Sequence, residues 1–462
     1  MRSYSRNSLP LPLRRTIVVA GALALLAATS RPLAGQEIAA DAEVLTLDQA
    51  LALALKNSAA ILSAEAQVQR SEAELAASRT RRLPSLEVQA SASLLLSSPE
   101  VAFPAGAFGT YAGTGPIPAT DTVIKADTAP TGWINASVAQ PLTQLHKTGL
   151  GVKASRLSRD SERQQLRLQR ASVAHEVRRL YYGALQSQSA AEAARDQAKA
   201  LRQMDLEVGR YVALEAALRY EGLEVKTRLA EQEYRIVTLD NAIETCKEQL
   251  NALFGREPRT PFELVPVTAA SLEEVDVEVA RARALDRRPE LEQARLRVEQ
   301  ADTTRRLKKA EFIPEVSLAV TYYSFFNVEL LPRSLAQLGL QLKWEPFDWG
   351  RRRKELASKT LAVDQARYAA RDERHRVLVQ VDRAFRQVQE ARALVAVRRL
   401  GHESAQERVR VALLRGREQT MLLREVLQEQ ADLAAARAQY DEAQLSLWQA
   451  RAELDKAMGE DM

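Results

Sequence analysis

The stretch LTLDQALALALKNSAAILSAEAQVQRSEAELAASRTRRLPSLEVQAS, residues 45–91, decides the fold, because it changes from a helical pattern to a strand pattern at one proline. Thr46 and Gln49 have the spacing of a capping box, which marks a helix start. Apolar and small residues then recur at helical spacing until Pro84, which ends the helix. From Ser85 onward apolar and polar residues alternate. The stretch therefore predicts a helix followed directly by a strand with one apolar and one polar face.

The chain contains this arrangement twice. Residues of the first block recur 230 positions later, as the pairs Leu55 and Leu285, Ala64 and Ala294, Val68 and Val298, and Pro84 and Pro314. Farther on the offset is 204, as in Val173 and Val377, Val177 and Val381, Leu229 and Leu433, Leu250 and Leu454, and Gly255 and Gly459. A period this long indicates a duplicated supersecondary unit and not a short-repeat solenoid.

The change of offset from 230 to 204 means that the first half carries 26 extra residues between its matched blocks. The stretch 97–132, rich in Gly, Pro, Thr and Ala, is where these residues fit. We predict that they form a single loop.

Alternating patterns predict two strands in each half. We place them at about 85–97 and 131–141 in the first half, and at about 315–326 and 334–346 in the second. Each half thus reads as a helix, two strands and a long helical region.

The remaining sequence has the composition of long helices. Residues 147–254 and 351–458 contain no proline and are rich in Ala, Leu, Glu, Gln and Arg. We expect each stretch to fold back near its middle, with Gly209, Gly222 and Gly416 as candidate turn residues.

The N-terminal sequence predicts export. Residues 1–35 combine basic residues, an apolar run and small residues, as in a signal peptide. Five arginines in this segment account for the whole net charge of +5, so the rest of the chain is neutral and gives no argument for nucleic acid. The single cysteine, Cys246, cannot form an intrachain disulfide.

The strands indicate an outer-membrane barrel. Each is about ten residues long, which is enough to cross a membrane in a barrel. Four strands cannot close a barrel and open edges are not tolerated in lipid, so we predict a barrel shared between chains. Aromatic residues near the strand ends, Trp133, Tyr322, Tyr323 and Trp344, predict an interfacial belt. The alternative is a pair of surface hairpins on a soluble helical protein.

Four segments together resemble the TolC-like outer-membrane efflux proteins. These are residues 45–91, their echo at 285–323, the segment KWEPFDWGRRRKELA at 343–357, and the closing stretch at 426–459. The resemblance depends on their order, duplication and spacing and covers essentially the whole exported chain.

This resemblance implies a mainly α-helical fold with a small β-barrel portion. Three copies would combine twelve strands in one barrel and twelve long helices in a periplasmic tunnel. Residues 36–255 and 276–462 would be the two repeats, and residues 256–275 the small equatorial segment between them. The partners implied are outer-membrane lipid, a periplasmic adaptor and an inner-membrane transporter. The cargo would be drugs, metals or other small molecules.

Two other functions remain open from the sequence. The first is a periplasmic coiled-coil adaptor or structural protein, which would have one hairpin flanked by β-rich domains. The second is the outer-membrane duct of a type I protein secretion system.

Similarity to the family also suggests a periplasmic constriction formed by acidic residues. Counting back 34 residues from Gly255 and Gly459 gives Glu221 and Glu425. A ring of such carboxylates would favour cations in a narrow pore. Gln428 stands where the resemblance implies a second acid. The alternative is that these glutamates are solvated charges on a helix surface.

The helical tip departs from the family pattern. The resemblance implies a glycine six residues before each acid, but these positions hold Glu215 and Gln419. The nearest upstream glycines are Gly209 and Gly416, which we take as candidates for the tip and for adaptor docking.

The sequence offers no enzyme motif, and we expect no catalytic, cofactor or metal site. His175-Glu176 begins like a zinc-protease helix, but position 179 is arginine. His402-Glu403 does the same, and position 406 is glutamine. Neither pair can complete that metal site.

Overall fold

The computed structural model describes residues 43–94, 96, 100–125, 130–216, 218–267, 276–327, 332–418 and 420–460. The predicted signal peptide, 1–35, lies outside these residues. Within them, helices dominate.

The helices are α1 (Leu47–Asn57), α2 (Ala59–Thr80), α3 (Gln144–Ala213), α4 (Arg219–Leu253), α5 (Val277–Arg287), α6 (Pro289–Ala310), α7 (Arg351–Arg417) and α8 (Leu423–Met458). The strands are β1 (Glu43–Leu45), β2 (Ser85–Leu94), β3 (Glu100–Phe103), β4 (Thr110–Tyr111), β5 (Gly115–Pro116), β6 (Thr122–Lys125), β7 (Pro130–Pro141), β8 (Phe262–Leu264), β9 (Glu315–Phe326) and β10 (Ser334–Lys343). The helix, strand, strand, long-helix order is therefore present in both halves.

The four long strands form one antiparallel sheet in the order β10-β9-β7-β2. Leu94 at the end of β2 lies opposite Pro130 at the start of β7, and Gly132 lies opposite Phe326 at the end of β9. The β2–β7 and β9–β10 connections therefore lie at one end of the sheet, and all the flanking helices join it at the other end. Both halves thus contribute to a single sheet.

One strand end differs clearly from the prediction. The strand β10 ends at Lys343 and not at 346, so Trp344 lies beyond it. The reason is that Lys343 pairs with Glu315, the first residue of β9, and Pro314 precedes that residue. The strand has no partner beyond this point.

The inserted segment of the first half is more ordered than a simple loop. Its described part, 100–125, contains two antiparallel pairs, β3 with β6 and β4 with β5. An ion pair of 2.5 Å between Lys125 and Glu100 joins the ends of the larger pair. The insertion therefore forms two short hairpin-like sheets.

Each long helical region folds back on itself, but well after its middle. The turns follow Ala213 at the end of α3 and Arg417 at the end of α7, after helices of 70 and 67 residues. This follows from packing, because α3 packs against α1, α2 and α4, which have 11, 22 and 35 residues. The long helix is about as long as these three partners together.

The two repeats bury equivalent residues in two cores. Val173, Val177 and Leu250 in the first core correspond to Val377, Val381 and Leu454 in the second. The first core also contains the parallel pair of β1 and β8. The hydroxyl of Tyr181 lies within hydrogen-bond distance of the carbonyl oxygens of Leu45 (3.0 Å) and Val265 (2.7 Å), and so ties this pair to α3.

Among the described residues, no helix is both long and apolar enough to cross a membrane.

Candidate functional site

The two helical turns have the same hydrogen-bond pattern. The amide of Ala216 donates to the carbonyl of Tyr211 at 2.8 Å, and the amide of Thr420 donates to that of Arg415 at 2.9 Å. Tyr211 and Arg415 are 204 positions apart, as are Ala216 and Thr420, which is the offset of the other matched residues in the long helical regions. The duplication thus extends to the turn itself.

The predicted constriction residues Glu221 and Glu425 occupy equivalent places just after these turns. Each is the third residue of its helix, α4 or α8. The Glu221 carboxylate accepts a hydrogen bond from the amide of Leu218 at 3.1 Å, and the Glu425 carboxylate accepts one from the amide of Leu422 at 3.2 Å. Both glutamates therefore cap a helix and place negative charge at its positive end.

Gln428 lies one helical turn after Glu425 on α8 and is exposed. Its side-chain amide donates to the Asp432 carboxylate at 2.8 Å. The acidic residue Asp432 therefore lies on this helix one turn after position 428, where the resemblance implied an acid. The role of Glu221, Glu425 and Gln428 in a constriction stays a prediction.

The prediction that glycines form the tips is wrong. Gly209 lies inside α3, Gly222 lies inside α4, and Gly416 is the penultimate residue of α7. The first turn instead places Glu215 at a φ of 56°, the left-handed conformation that usually needs glycine. This is the position where the family resemblance implies a glycine.

Apolar side chains surround the turns and remain exposed in the single chain. They are Leu214, Leu218, Tyr220 and Leu422. This surface was not predicted from the sequence, although apolar residues stand beside both predicted turns. An exposed apolar group of this kind is typical of an interaction surface.

Strand pairing separates the sheet into two different faces. One face is almost entirely apolar and is exposed along both edge strands. It consists mainly of Leu86, Val88, Ala90, Ala92, Leu94, Ile134, Ala136, Val138, Val316, Leu318, Val320, Tyr322, Ala336, Leu338, Leu340 and Leu342. The opposite face is mainly polar and includes Ser85, Glu87, Gln89, Ser91, Ser93, Asn135, Ser137, Thr321, Gln337 and Gln341. The predicted alternation of apolar and polar faces is therefore present in all four strands.

The residues of the predicted aromatic belt do not share one face of the sheet, and the belt itself stays a prediction. Successive strand residues point to opposite faces. Tyr322 belongs to the apolar face, whereas Trp133 and Tyr323 belong to the polar face, and Trp344 lies beyond β10. Proximity to a strand end did not indicate the face.

A buried arginine occupies the junction between α6 and α8 in the second repeat. Arg288 is 7% exposed and donates to the carbonyl of Lys456 at 3.2 Å and to the side chain of Gln380. Clefts of about 290 and 550 Å³ flank it. Since its guanidinium bonds the last turn of α8, its role is to cap a helix carboxyl end.

The two histidine–glutamate pairs have structural partners. His175 contacts Glu453 at 3.0 Å, and Glu176 binds Arg179. His402 stacks on Tyr440 with ring centroids 5.9 Å apart. Within the described ranges, no three His, Cys, Asp or Glu side chains are grouped in a way that could hold a metal ion.

Comparison with known proteins agrees with this geometry. Residues 280–460 match the family model described as outer membrane efflux protein. No curated protein sequence matches the chain.

Solved structures resemble the chain over almost its full length. The Campylobacter jejuni CmeC outer membrane channel is 14% identical with a TM-score of 0.74, over 90% of this chain and 86% of that one. The outer-membrane channel OprN is 16% identical with a TM-score of 0.72, over 90% of each chain. The outer membrane protein VceC from Vibrio cholerae is 16% identical with a TM-score of 0.70, over 89% of this chain and 96% of that one. The second repeat is thus similar to the outer membrane efflux proteins, as the sequence predicted, and the chain has the fold of these outer-membrane channels.

Proposed function

We propose that three copies of this chain form the outer-membrane exit duct of a tripartite export system. The four-stranded sheets combine into one twelve-stranded barrel in the outer membrane. The long helices continue from the barrel into the periplasm. Substrate passes from an inner-membrane transporter and a periplasmic adaptor through this duct to the outside.

The observation that carries this proposal is the four-stranded sheet with an exposed apolar face and two free edges. Leu86 and Val88 on β2 are 71% and 62% exposed, and Leu338 and Leu340 on β10 are each 70% exposed. A single chain in water would leave this surface and two strand edges unprotected. Lipid covers the face, and pairing of β2 with the β10 of a neighbouring copy removes the edges.

The helices also support pairing of the β2 side of one copy with the β10 side of the next. The helix α2 leads directly into the edge strand β2, and both α2 and α4 pack against α3. Next to the β10 edge lies α7, which exposes Leu361, Tyr368, Val379 and Val397 at helical spacing along one stripe. In a ring of copies, the neighbouring chain covers both the exposed stripe of α7 and the free edge of β10.

Sheet topology orients the duct. Similarity to outer-membrane efflux channels places the long helices in the periplasm, and these helices join the sheet at the end opposite the β2–β7 and β9–β10 connections. The 100–125 insertion and the β9–β10 connection share one end of the sheet, so this end faces the cell exterior. The helical turns then lie at the periplasmic end, where the apolar group of Leu214, Leu218, Tyr220 and Leu422 contacts the adaptor.

Planar-bilayer recording tests the duct directly. Purified protein should need detergent for extraction and should produce discrete current steps after reconstitution. The adaptor alternative predicts a protein that stays in solution without detergent and forms no pore. The sheet of two strand pairs already departs from the single hairpin expected of an adaptor.

We propose further that Glu425, together with Glu221, lines the closed periplasmic end and sets its ion preference. Threefold symmetry brings three copies of each carboxylate around one axis, where they attract cations. Glutamine at the third helix position still reaches back to the cap amide, so Glu425→Gln removes charge but keeps the capping bond.

The double variant Glu221→Gln, Glu425→Gln should therefore fold normally and lose cation over anion selectivity. Glu257→Gln, which removes an exposed charge from the segment between the repeats, is the matched control and should leave selectivity unchanged. Unchanged selectivity in the double variant would assign both glutamates to helix capping alone.

A further inference from the structure

Three arginines line one cleft between the end of α2 and the first part of α3. The cleft has a volume of about 440 Å³, and its lining consists of Arg79, Thr80, Arg82, Leu83, Val152 and Arg156. None of the three guanidinium groups forms an ion pair within the described chain. Like charges repel one another, so three arginines in one cleft are unfavourable unless an anion joins them.

The cleft lies at the helix end of the sheet. The side-chain amide of Gln140, in β7, donates to the backbone carbonyl of Arg82 at 3.3 Å. Leu83 is 63% exposed and stands two residues before Ser85, where β2 begins. The Arg82 guanidinium reaches α3, where it lies 3.8 Å from the position that a Cβ on Gly149 would take. In the proposed barrel this end of the sheet borders the periplasmic surface of the membrane.

Acidic residues of the surrounding elements do not neutralise the cleft. The described acids that come nearest to it in sequence on α2 and α3 are bonded to other arginines, in the pairs Glu74 with Arg70, Glu72 with Arg163 and Asp160 with Arg159. Glu87, on β2, belongs to the polar face of the sheet and accepts a hydrogen bond from Gln89 at 2.7 Å. Lys153, beside Val152, lies 4.0 Å from Glu299. The cleft therefore keeps its positive charge within the chain.

The neighbouring copy brings no free acid in the proposed ring. Pairing of β2 with the next β10 places the start of the next copy's α7 beside this cleft. The described acids at that start are already bonded within their own chain, as Glu345 to Arg351, Asp348 to the amide of Arg352, and Glu355 to Lys308. Arg353 and Lys354 are exposed and have no ion pair among the residues that the structure describes. The seam between copies thus gathers unpaired cations from both sides.

An anion with an apolar body fits this lining. Guanidinium groups bind phosphate oxygens with paired, charge-assisted hydrogen bonds. Leu83 and Val152 offer apolar contact in the same cleft. Clusters of basic residues at a membrane boundary recognise lipids with a negative headgroup. Leu83 is closer in sequence to β2 than Arg79 and Arg82 are, so an acyl chain would extend toward the membrane and its phosphate toward the arginines.

We infer that Arg79, Arg82 and Arg156 bind the headgroup phosphate of an anionic phospholipid, such as phosphatidylglycerol, in the periplasmic leaflet. This inference rests on the proposed function, because only a barrel in the outer membrane brings the cleft to that leaflet. A phosphatidylcholine headgroup also carries an ammonium, which the arginines repel. The bound lipid neutralises the seam between neighbouring copies.

Lipid binding to the detergent-solubilised protein, measured by native mass spectrometry, tests the site. Dioleoylphosphatidylglycerol should bind more tightly than dioleoylphosphatidylcholine. Its binding should weaken about fivefold when one of Arg79, Arg82 and Arg156 is changed to glutamine, and about a hundredfold when all three are changed. Each single variant is a second test if the triple variant fails to assemble.

A charge-matched control separates the cleft from the total charge of the protein. Arg235, Arg371 and Arg374 are exposed on α4 and α7, away from the sheet, and have no ion pair among the described residues. Changing all three to glutamine removes the same charge and should leave the affinity for dioleoylphosphatidylglycerol unchanged.

Inorganic phosphate distinguishes a lipid from a soluble anion. Phosphate at the concentration of the lipid should displace little bound dioleoylphosphatidylglycerol, and Leu83→Ser should weaken binding of the lipid. Full displacement by phosphate, or an unchanged lipid affinity in Leu83→Ser, would overturn the lipid and assign the cleft to soluble anions.

Equal affinity of the native protein for the two lipids would overturn the site, as would equal affinity of the triple variant and the control for dioleoylphosphatidylglycerol. If these proteins still form pores in planar bilayers, the duct stands without the lipid site. A native protein that forms no pore would overturn the duct, and the membrane position of the cleft with it.

Discussion

The most constrained residues of the fold are the two glycines that end the long helical regions. Gly255 and Gly459 have φ values of 68° and 77°. A Cβ on Gly255 would lie 3.0 Å from the backbone oxygen of Asn57, and one on Gly459 would lie 3.2 Å from the backbone of Arg287 and Arg288. Asn57 and Arg287 are equivalent residues of the two repeats. Both repeats therefore need glycine for conformation and for close approach.

Gly459→Ala should accordingly destabilise the protein by about 1–3 kcal/mol, the usual range for forcing a side chain into such a conformation. Gly209→Ala is the control, because Gly209 lies in a helix with open space around it and alanine there should stabilise by about 0.5–1 kcal/mol. Thermal unfolding followed by circular dichroism should lower the midpoint for the first variant and raise it for the second. A neutral Gly459→Ala would contradict the close approach.

Glu215 allows the reverse substitution, in which glycine replaces a larger residue at a positive φ. Its φ of 56° is strained for any residue with a side chain. Glu215→Gly should stabilise the first helical turn by about 1 kcal/mol, whereas Glu215→Ala should keep the strain and give no gain. A thermal midpoint raised equally by both variants would show that the glutamate side chain, and not the backbone, is unfavourable.

At the scale of elements, a histidine joins α3 to α8. The pKa of His175 lies below its ordinary value because burial disfavours the charged ring and Lys456 repels it. The carboxylates of Glu453 and Glu176 oppose this shift, and Arg178 adds to it. The unfolded chain therefore binds a proton at this residue more readily than the folded chain does.

Stability from this group is present above the ordinary histidine pKa of about 6.5 and is lost as the pH falls below it. Between pH 7 and pH 5 the native protein should therefore lose more stability than His175→Gln does. Thermal midpoints of both proteins at several pH values check this. Parallel pH profiles would show that His175 stays neutral in both states or titrates normally in the fold.

The insertion should be accessible from the cell exterior. Its described part, 100–125, exposes Val101, Phe108 and Tyr111 and joins the sheet at the end opposite the helices. Protease applied to intact cells should cut this segment and leave the helices whole. Cleavage only after the cells are broken would reverse the proposed topology.

Sequence periodicity predicted the helices and strands better than it predicted the turns between the long helices. The strands begin where Pro84 and Pro314 forced the helices to stop, and the alternation of Leu86 and Val88 with polar residues fixed the two faces of β2. The tips were not predicted, since a glycine within a helix resembles a turn signal and Glu215 gives no local sign of a positive φ.

The faces of the aromatic residues were missed for a different reason. Trp133 alternates with Ile134 and shares its parity with Asn135, so its face was readable from the sequence. The predicted belt rested on distance from the strand end, which does not distinguish the two faces of a sheet.

At the scale of the whole molecule, the two repeats form one sheet but do not close it. The edges β2 and β10 are each paired on one side only within the described chain. Each repeat also has its own helical core with equivalent residues. In the proposed trimer, the two repeats of one chain supply one third of the barrel, and two further copies complete it.

The mass of the detergent-solubilised protein, measured by light scattering with the detergent contribution subtracted, tests this claim most directly. A protein mass three times that of the processed chain is the predicted result, stable on dilution because four strands cannot close a barrel alone. A stable monomer in detergent that still forms the pore would contradict the shared barrel.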